Sequence, residues 1–82
     1  MRLYVSQVRA ARGLLGWSQN ELAVASGLGI STIKRMEGSK KIVRGNVENV
    51  WKLQRTLEDA GVEFIDENGG GPGVRLKDRM AD

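Results

Sequence analysis

The side chains of this sequence that could do chemistry are cations and hydroxyls gathered in one short segment. Residues 29–44 contain five basic side chains and a single acidic one, Glu37. The basic residues are Lys34, Arg35, Lys40, Lys41 and Arg44. Such a cluster can donate hydrogen bonds to phosphate oxygens or to the acceptor edges of bases, so it suggests a polyanionic partner. A solvated charged surface is the plain alternative, and charge alone does not separate the two.

The composition excludes most catalytic and metal-binding chemistry. The sequence contains no Cys and no His, which removes disulfides, thiolate ligands and the commonest general base. We therefore predict that the protein is not an enzyme and needs no cofactor and no metal ion. Residues 66–73 combine acidic side chains with glycines, but they have neither the spacing of a calcium-binding loop nor the Lys-Ser/Thr of a phosphate-binding loop. We interpret them as a turn.

The length allows one small domain with a marginal core. A chain of 82 residues is expected to bury roughly 63% of the surface that its unfolded form exposes. No stretch approaches the roughly 20 apolar residues that a membrane helix needs. The first ten residues contain no apolar run, so we expect neither a signal peptide nor membrane association.

Capping residues and glycines predict where the first two helices begin and end. We predict the first helix over residues 6–15, with Ser6 as its N-cap. The second start has the stronger signal, because Ser18 and Glu21 form an S-x-x-E capping box whose side chains satisfy backbone donors reciprocally. Gly27 is expected to end this helix in the left-handed conformation that glycine adopts without strain.

Two further helices are predicted before residue 61. The third covers residues 30–37, and the fourth begins after the cap residue Asn46 and ends at Gly61. The buried stripe that we predict for the fourth helix consists of Val50, Leu53, Leu57 and Ala60, widened by Trp51. We expect both tryptophans, Trp17 and Trp51, to pack in the core.

Alternating apolar residues predict a short β-hairpin after the helices. The alternating positions are Val62, Phe64, Val74 and Leu76. The boundaries that we expect are residues 1–61 for a helical domain, 62–77 for the hairpin appendix and 78–82 for a frayed tail. An isolated hairpin is unstable in water, so it must pack on the helices or on a second subunit. The strand Val62–Ile65 is our candidate for part of a dimer surface, because an exposed strand edge invites pairing.

The second and third helices together have the pattern of a helix-turn-helix unit, in which a tight glycine turn joins two short helices. Gly27 permits the sharp reversal, and Ala23 is small enough for the helices to approach each other. The side chains that would then project outward are Ser31, Thr32, Lys34 and Arg35. A major groove about 12 Å wide accepts one helix, and Lys or Arg can bind a guanine edge there. The pattern therefore predicts double-stranded DNA as the partner.

The segment SQNELAVASGLGISTIKRMEGSK resembles the Xre/Cro-type helix-turn-helix of bacterial and phage repressors. The resemblance covers about residues 6–60 and implies an all-α fold, a lambda-repressor-like bundle of four to five helices. With the predicted hairpin, the expected fold is that bundle followed by a short C-terminal β-hairpin. The segment GVEFIDENGGGPGVRL is similar to the tail of a short bacterial subgroup without an effector domain, so we expect no small-molecule effector.

The resemblance also implies roles for individual side chains. The residues placed at base-contacting positions are Ile30, Ser31, Lys34 and Arg35. Those placed at phosphate-contacting positions are Gln19, Thr32, Lys40 and Lys41. Arg12 and Glu37 match a buried ion pair of the family, which links the first helix to the end of the third.

Three positions depart from the family pattern. Gly29 stands where the family usually has Ser or Thr as the cap of the recognition helix, so a side-chain contact to phosphate would be absent. Ile30 stands where a polar residue is more common, and its side chain could pack on a thymine methyl group. The family commonly ends this helix with E-x-G, whereas this chain has Glu37-Gly38-Ser39, which moves the glycine by one residue.

Together these observations predict a sequence-specific DNA-binding regulator of transcription. We expect a repressor that binds a palindromic operator as a homodimer, in the cytoplasm and at the bacterial nucleoid. The first alternative is an antitoxin-like module that binds DNA and a partner protein together. The second is a purely structural helical bundle.

Overall fold

Four helices and two strands follow one another in the computed structural model, which describes residues 2–78. The helices are α1 (Val5–Leu15), α2 (Gln19–Ser26), α3 (Ile30–Glu37) and α4 (Val47–Asp59), and the strands are β1 (Val62–Ile65) and β2 (Gly73–Leu76). The predicted helical bundle with a C-terminal hairpin is therefore confirmed. The frayed tail predicted for residues 78–82 lies outside the described residues, apart from Asp78.

The ends of α2 follow directly from the local sequence. The Ser18 hydroxyl accepts a hydrogen bond from the Glu21 N–H at 3.0 Å, and the Glu21 carboxylate accepts one from the Ser18 N–H at 2.9 Å. Gly27 ends the helix with a φ of 74°, a left-handed conformation that favours glycine. The predicted capping box and the predicted glycine terminus are both confirmed.

The predicted N-cap of α1 is wrong by two residues, because the helix begins at Val5 and Tyr4, not Ser6, is its N-cap. Ser6 lies inside the first turn and is exposed. The side chain that completes the cap is the amide of Gln7, whose Oε1 accepts a hydrogen bond from the Tyr4 N–H at 3.0 Å. Gln7 thus satisfies a backbone donor that the helix itself leaves unpaired.

A contact distant in sequence holds the residues before α1 in an extended conformation. Residues 3–5 form an antiparallel bridge with residues 41–43. The Val43 N–H donates to the Leu3 carbonyl at 2.9 Å, and the Val5 N–H donates to the Lys41 carbonyl at 2.9 Å. Since these bonds fix the backbone ahead of the helix, the position of the first turn depends on the loop between α3 and α4.

The core is formed by the helices, the first residue of β1, and Leu3 and Val43 from the bridged segments before α1 and after α3. Its largest fully buried apolar side chains are Leu22, Ile33, Met36, Leu53, Leu57, Val8 and Val62. The prediction for Trp51 is wrong, because this side chain is 59% exposed. Trp51 precedes Leu53 by two residues, which places it near the opposite side of α4 from the buried stripe. Trp17, by contrast, is half-buried and packs against the core.

The hairpin shares the core of the helices. Its strands pair antiparallel, with Val62 opposite Leu76 and Phe64 opposite Val74. A buried amide also holds it to α1, because the Nε2 of Gln7 donates to the Ile65 carbonyl at 3.2 Å and to the Gly73 carbonyl at 3.0 Å. Three half-buried apolar residues of the strands also pack against the core, namely Phe64, Val74 and Leu76.

The Ser18 cap yields a stability prediction with a matched control. Ser18→Ala removes the acceptor for the Glu21 N–H and is expected to lower the free energy of unfolding by about 1 kcal/mol. Ser6→Ala removes an exposed hydroxyl that caps nothing and is expected to change it by less than about 0.5 kcal/mol. Urea denaturation followed by circular dichroism measures both values. Equal losses in the two variants would contradict the assignment of the cap.

Candidate nucleic-acid interface

The turn between α2 and α3 is built from residues 26–29. The Gly27 N–H donates to the Ala23 carbonyl at 3.0 Å and ends α2. The Ser26 hydroxyl donates to the same carbonyl at 3.3 Å and accepts a hydrogen bond from the Leu28 N–H at 3.2 Å. Ser26 is a turn residue that the sequence reasoning missed, although serine hydroxyls commonly bond to nearby backbone in this way. Leu28 is half-buried and packs against the core.

The two sides of α3 differ sharply in exposure. The buried side consists of Ile33, Met36 and Glu37. The exposed side consists of Ser31, Lys34 and Arg35. Three of the four residues predicted to contact bases therefore lie on the outer surface of one helix. A helix that buries one side and exposes hydroxyl and cationic groups on the other can enter a DNA groove without losing its packing.

The fourth predicted base-contacting residue, Ile30, is placed differently. Its side chain is half-buried and packs against the core, so only part of it faces solvent. Thr32 is also half-buried. Gly29 is the N-cap of α3, and because glycine has no side chain, the cap lacks a side-chain hydrogen bond. The DNA contacts of these residues stay predictions.

The end of α3 explains the displaced glycine of the sequence pattern. Gly38 is the C-cap, and its N–H donates to the Arg35 carbonyl at 3.2 Å. A Cβ at this position would lie 3.0 Å from the Lys34 carbonyl oxygen, which real Cβ atoms rarely approach so closely. The close approach of backbone, and not the φ angle, favours glycine here, since the φ of −82° lies in the right-handed region that any residue adopts.

Basic side chains surround the loop after α3. A surface cavity of about 580 Å³ is lined by Arg35, Gly38, Ser39, Lys40 and Arg44. Lys41 is exposed as well, and its Nζ lies 6.0 Å from the centre of the Tyr4 ring. The structure thus brings Arg35, a predicted base contact, together with Lys40, a predicted phosphate contact. Arg44, which the sequence reasoning counted only as part of the basic cluster, lies beside them.

A buried ion pair joins the last residue of α3, Glu37, to Arg12 of α1. The Nε of Arg12 donates to Oε2 of Glu37 at 2.9 Å, and its second terminal nitrogen donates to Oε1 at 2.8 Å. Glu37 is 1% exposed, whereas the Arg12 side chain is 19% exposed. Arg12 also donates to the Trp17 carbonyl at 3.2 Å, which links α1 to the segment before α2.

Two other side chains complete the hydrogen bonding of Glu37. The guanidinium of Arg9 donates to its backbone carbonyl at 3.1 Å. The Nε2 of Gln19 donates to Oε1 of Glu37 at 3.4 Å, so the Gln19 amide is directed toward the ion pair. The phosphate contact predicted for Gln19 stays a prediction. Among residues 2–78, every buried side-chain nitrogen and oxygen has a hydrogen-bond partner.

The fold and the exposed surface of α3 define a helix-turn-helix DNA-binding domain. A family model described as helix-turn-helix matches residues 8–58, which is more than half of the chain. The chain belongs to the Xre/Cro-like helix-turn-helix family, a DNA-binding regulatory family and not an enzyme family. The comparison with curated proteins found no match.

Residues 2–78 contain neither a candidate membrane helix nor a candidate metal site. No helix within residues 2–78 has the length and apolar character needed to cross a membrane. The same residues contain no group of three or more acidic side chains that could hold a metal ion.

The buried ion pair predicts a large loss of stability when one partner is removed. Glu37→Gln leaves the guanidinium of Arg12 without its carboxylate and is expected to lower the free energy of unfolding by about 3–5 kcal/mol. Glu63→Gln is the control, because Glu63 forms a solvent-exposed pair with Arg75 at 3.0 Å. The control is expected to have little effect, since water and salt screen exposed pairs. Denaturant unfolding measures both, and a stable Glu37→Gln variant would contradict the role given to this pair.

Proposed function

We propose that the protein is a sequence-specific repressor of transcription that binds a palindromic operator as a homodimer. The observation that carries the proposal is the exposed side of α3, where Ser31, Lys34 and Arg35 project from a helix whose other side is buried. A repressor of this kind needs no catalytic group, since occupying the promoter is sufficient to block access to it. The proposal therefore depends on affinity and on selectivity for a base sequence.

Selectivity is assigned to the side chains of α3. Lys34 and Arg35 can donate to the N7 and O6 acceptors of guanine, and Ser31 can donate to or accept from several base edges. Each well-formed pair of hydrogen bonds to a base contributes about 1–3 kcal/mol of discrimination against the wrong base. The exposed part of Ile30 is assigned an apolar contact with a thymine methyl group.

Affinity is assigned to phosphate contacts around α3. Lys40 and Lys41 follow α3, the helix to which we assign the base contacts. Gln19 lies at the start of α2 and Thr32 in the first turn of α3. Contacts of this kind fix the orientation of a protein on the duplex but do not distinguish sequences. They also release counterions from the DNA, so binding should weaken steeply as the salt concentration rises.

Dimerisation is assigned to the hairpin. The sheet of the described residues has two strands, so the outer edge of β1 has no neighbouring strand there. An unpaired edge is a template for pairing with another chain. A symmetric dimer would place two recognition helices about 34 Å apart, which corresponds to one turn of DNA.

Selection of bound duplexes from a random DNA pool tests this function directly. We expect the recovered sequences to contain two inverted half-sites whose centres lie about 10 base pairs apart. Sedimentation equilibrium of the same protein should show a dimer at micromolar concentration. A monomer that selects a single asymmetric site would contradict the dimer, and recovery of unrelated sequences would contradict specific binding.

Substitutions on α3 and in the following loop should have different effects on binding. Arg35→Ala removes a base contact, so it is expected to cost about 1–3 kcal/mol and to relax the preference at one operator position. Lys40→Ala removes a phosphate contact, so it should weaken binding to all sequences and lower the salt slope by about one. Affinities measured for matched and mismatched duplexes over a range of salt separate these effects.

The control for both substitutions is Arg55→Ala, which removes the same formal charge from the exposed surface of α4, outside both α3 and the hairpin. It is expected to change neither the base preference nor the salt slope appreciably. If Arg35→Ala left both affinity and selectivity unchanged, the role assigned to Arg35 would be wrong.

A further inference from the structure

Tyr4 lies where three parts of the molecule meet. It precedes α1, its backbone is bridged to Ile42 in the loop after α3, and its hydroxyl donates to the carboxylate of Glu67 beyond β1. Its N–H is held by Gln7 at 3.0 Å. The aromatic ring therefore has a fixed backbone at one end and a hydrogen bond at the other.

The ring of Tyr4 faces Lys41, one of the two lysines assigned to DNA phosphates. The Nζ of Lys41 lies 6.0 Å from the ring centre, at the outer limit of the range in which a cation is attracted to an aromatic ring. The backbone of Lys41 is attached to the same segment, because its carbonyl accepts a hydrogen bond from the Val5 N–H at 2.9 Å. Lys40 has no corresponding contact with any aromatic ring among residues 2–78.

The hydrogen bond to Glu67 favours the neutral form of the Tyr4 phenol, which is the form that can donate it. That hydrogen bond is the main reason why the pKa of Tyr4 is raised above its ordinary value, with burial as the second cause. A phenol is already neutral at neutral pH, so this rise leaves Tyr4 a hydrogen-bond donor there. A neutral ring attached to the hairpin can attract the ammonium group of Lys41 without forming an ion pair that would compete with a phosphate.

We propose that Tyr4 is a positioning residue for DNA binding, which restricts Lys41 to a narrow range of orientations suited to a phosphate, and that Glu67 holds Tyr4 in place. A free lysine side chain has high rotational entropy, and part of it is lost when the ammonium group binds a phosphate. A lysine already restricted in the free protein loses less on binding. The inference rests on the phosphate contact proposed above for Lys41.

A double-mutant cycle distinguishes positioning from a merely structural role. Tyr4→Leu removes the ring, and it is expected to weaken binding to the selected duplex about two- to fivefold, the range that an exposed cation-π contact supports. In a Lys41→Ala background the same substitution should have no further effect, because the side chain that it positions is gone. In a Lys40→Ala background, the matched control, the full loss should persist.

Tyr4→Phe tests the link to the hairpin. It keeps the ring and removes only the hydroxyl that donates to Glu67, so its loss of affinity should be smaller than that of Tyr4→Leu and should also vanish in the Lys41→Ala background. Urea unfolding of every variant sets conditions in which all are folded during the binding measurement. A structural role would give equal losses with Lys41 and with alanine at position 41.

The outcomes separate this inference from the proposed function. If Lys40→Ala and Lys41→Ala both weaken binding but Tyr4→Leu has the same effect in all backgrounds, the positioning role is overturned and the DNA-binding function stands. If Lys41→Ala leaves affinity and salt slope unchanged, the positioning role also falls. If the unmodified protein selects no duplex, the proposed function falls as well.

Discussion

The buried pairing of Arg12 with Glu37 is the interaction on which the placement of α3, the candidate DNA-binding helix, depends. Glu37 is the last residue of α3, and its carboxylate can be buried because the guanidinium of Arg12 on α1 supplies two hydrogen bonds to it. The same guanidinium donates to the Trp17 carbonyl, and Gln19 at the start of α2 donates to the same carboxylate. Hydrogen bonds to this one charged pair thereby connect α1, α3 and the start of α2. The C-terminal end of α3, whose outer side carries the exposed cations, is thereby attached to α1 and α2.

Helix ends that depend on neighbouring residues could be predicted from the sequence. Ser18 with Glu21, Asn46 with its acceptor role toward Asn49, and Gly27 in the left-handed conformation all act within a few residues along the chain. The alternating hairpin strands are local in the same sense. The exposed side of α3 followed from periodicity alone, because burying Ile33 and Met36 turns the intervening cations outward. The DNA contacts of individual side chains came from the family resemblance and not from spacing, and they stay predictions.

Features that depend on contacts distant in sequence could not be predicted in this way. Ser6 has the side chain of a good cap, but the start of α1 is decided by Leu3 and Tyr4 pairing with the loop near Ile42. Trp51 is large and apolar, yet the stripe that α4 buries is centred elsewhere and leaves it exposed. The contact of Tyr4 with Lys41 joins residues far apart in the sequence, and no local pattern encodes it.

The amide of Gln7 has a consequence for how the chain acquires its structure during synthesis. Its hydrogen bonds to the Ile65 and Gly73 carbonyls span 58 and 66 residues of sequence. While the chain emerges from the ribosome, α1 and the helix-turn-helix are made well before those acceptors exist. The side-chain amide of Gln7 can therefore reach both of its carbonyl partners only after Gly73 has been synthesised. A translation product that ends before Gly73 would therefore lack both the second strand and one of the two carbonyls that accept from Gln7.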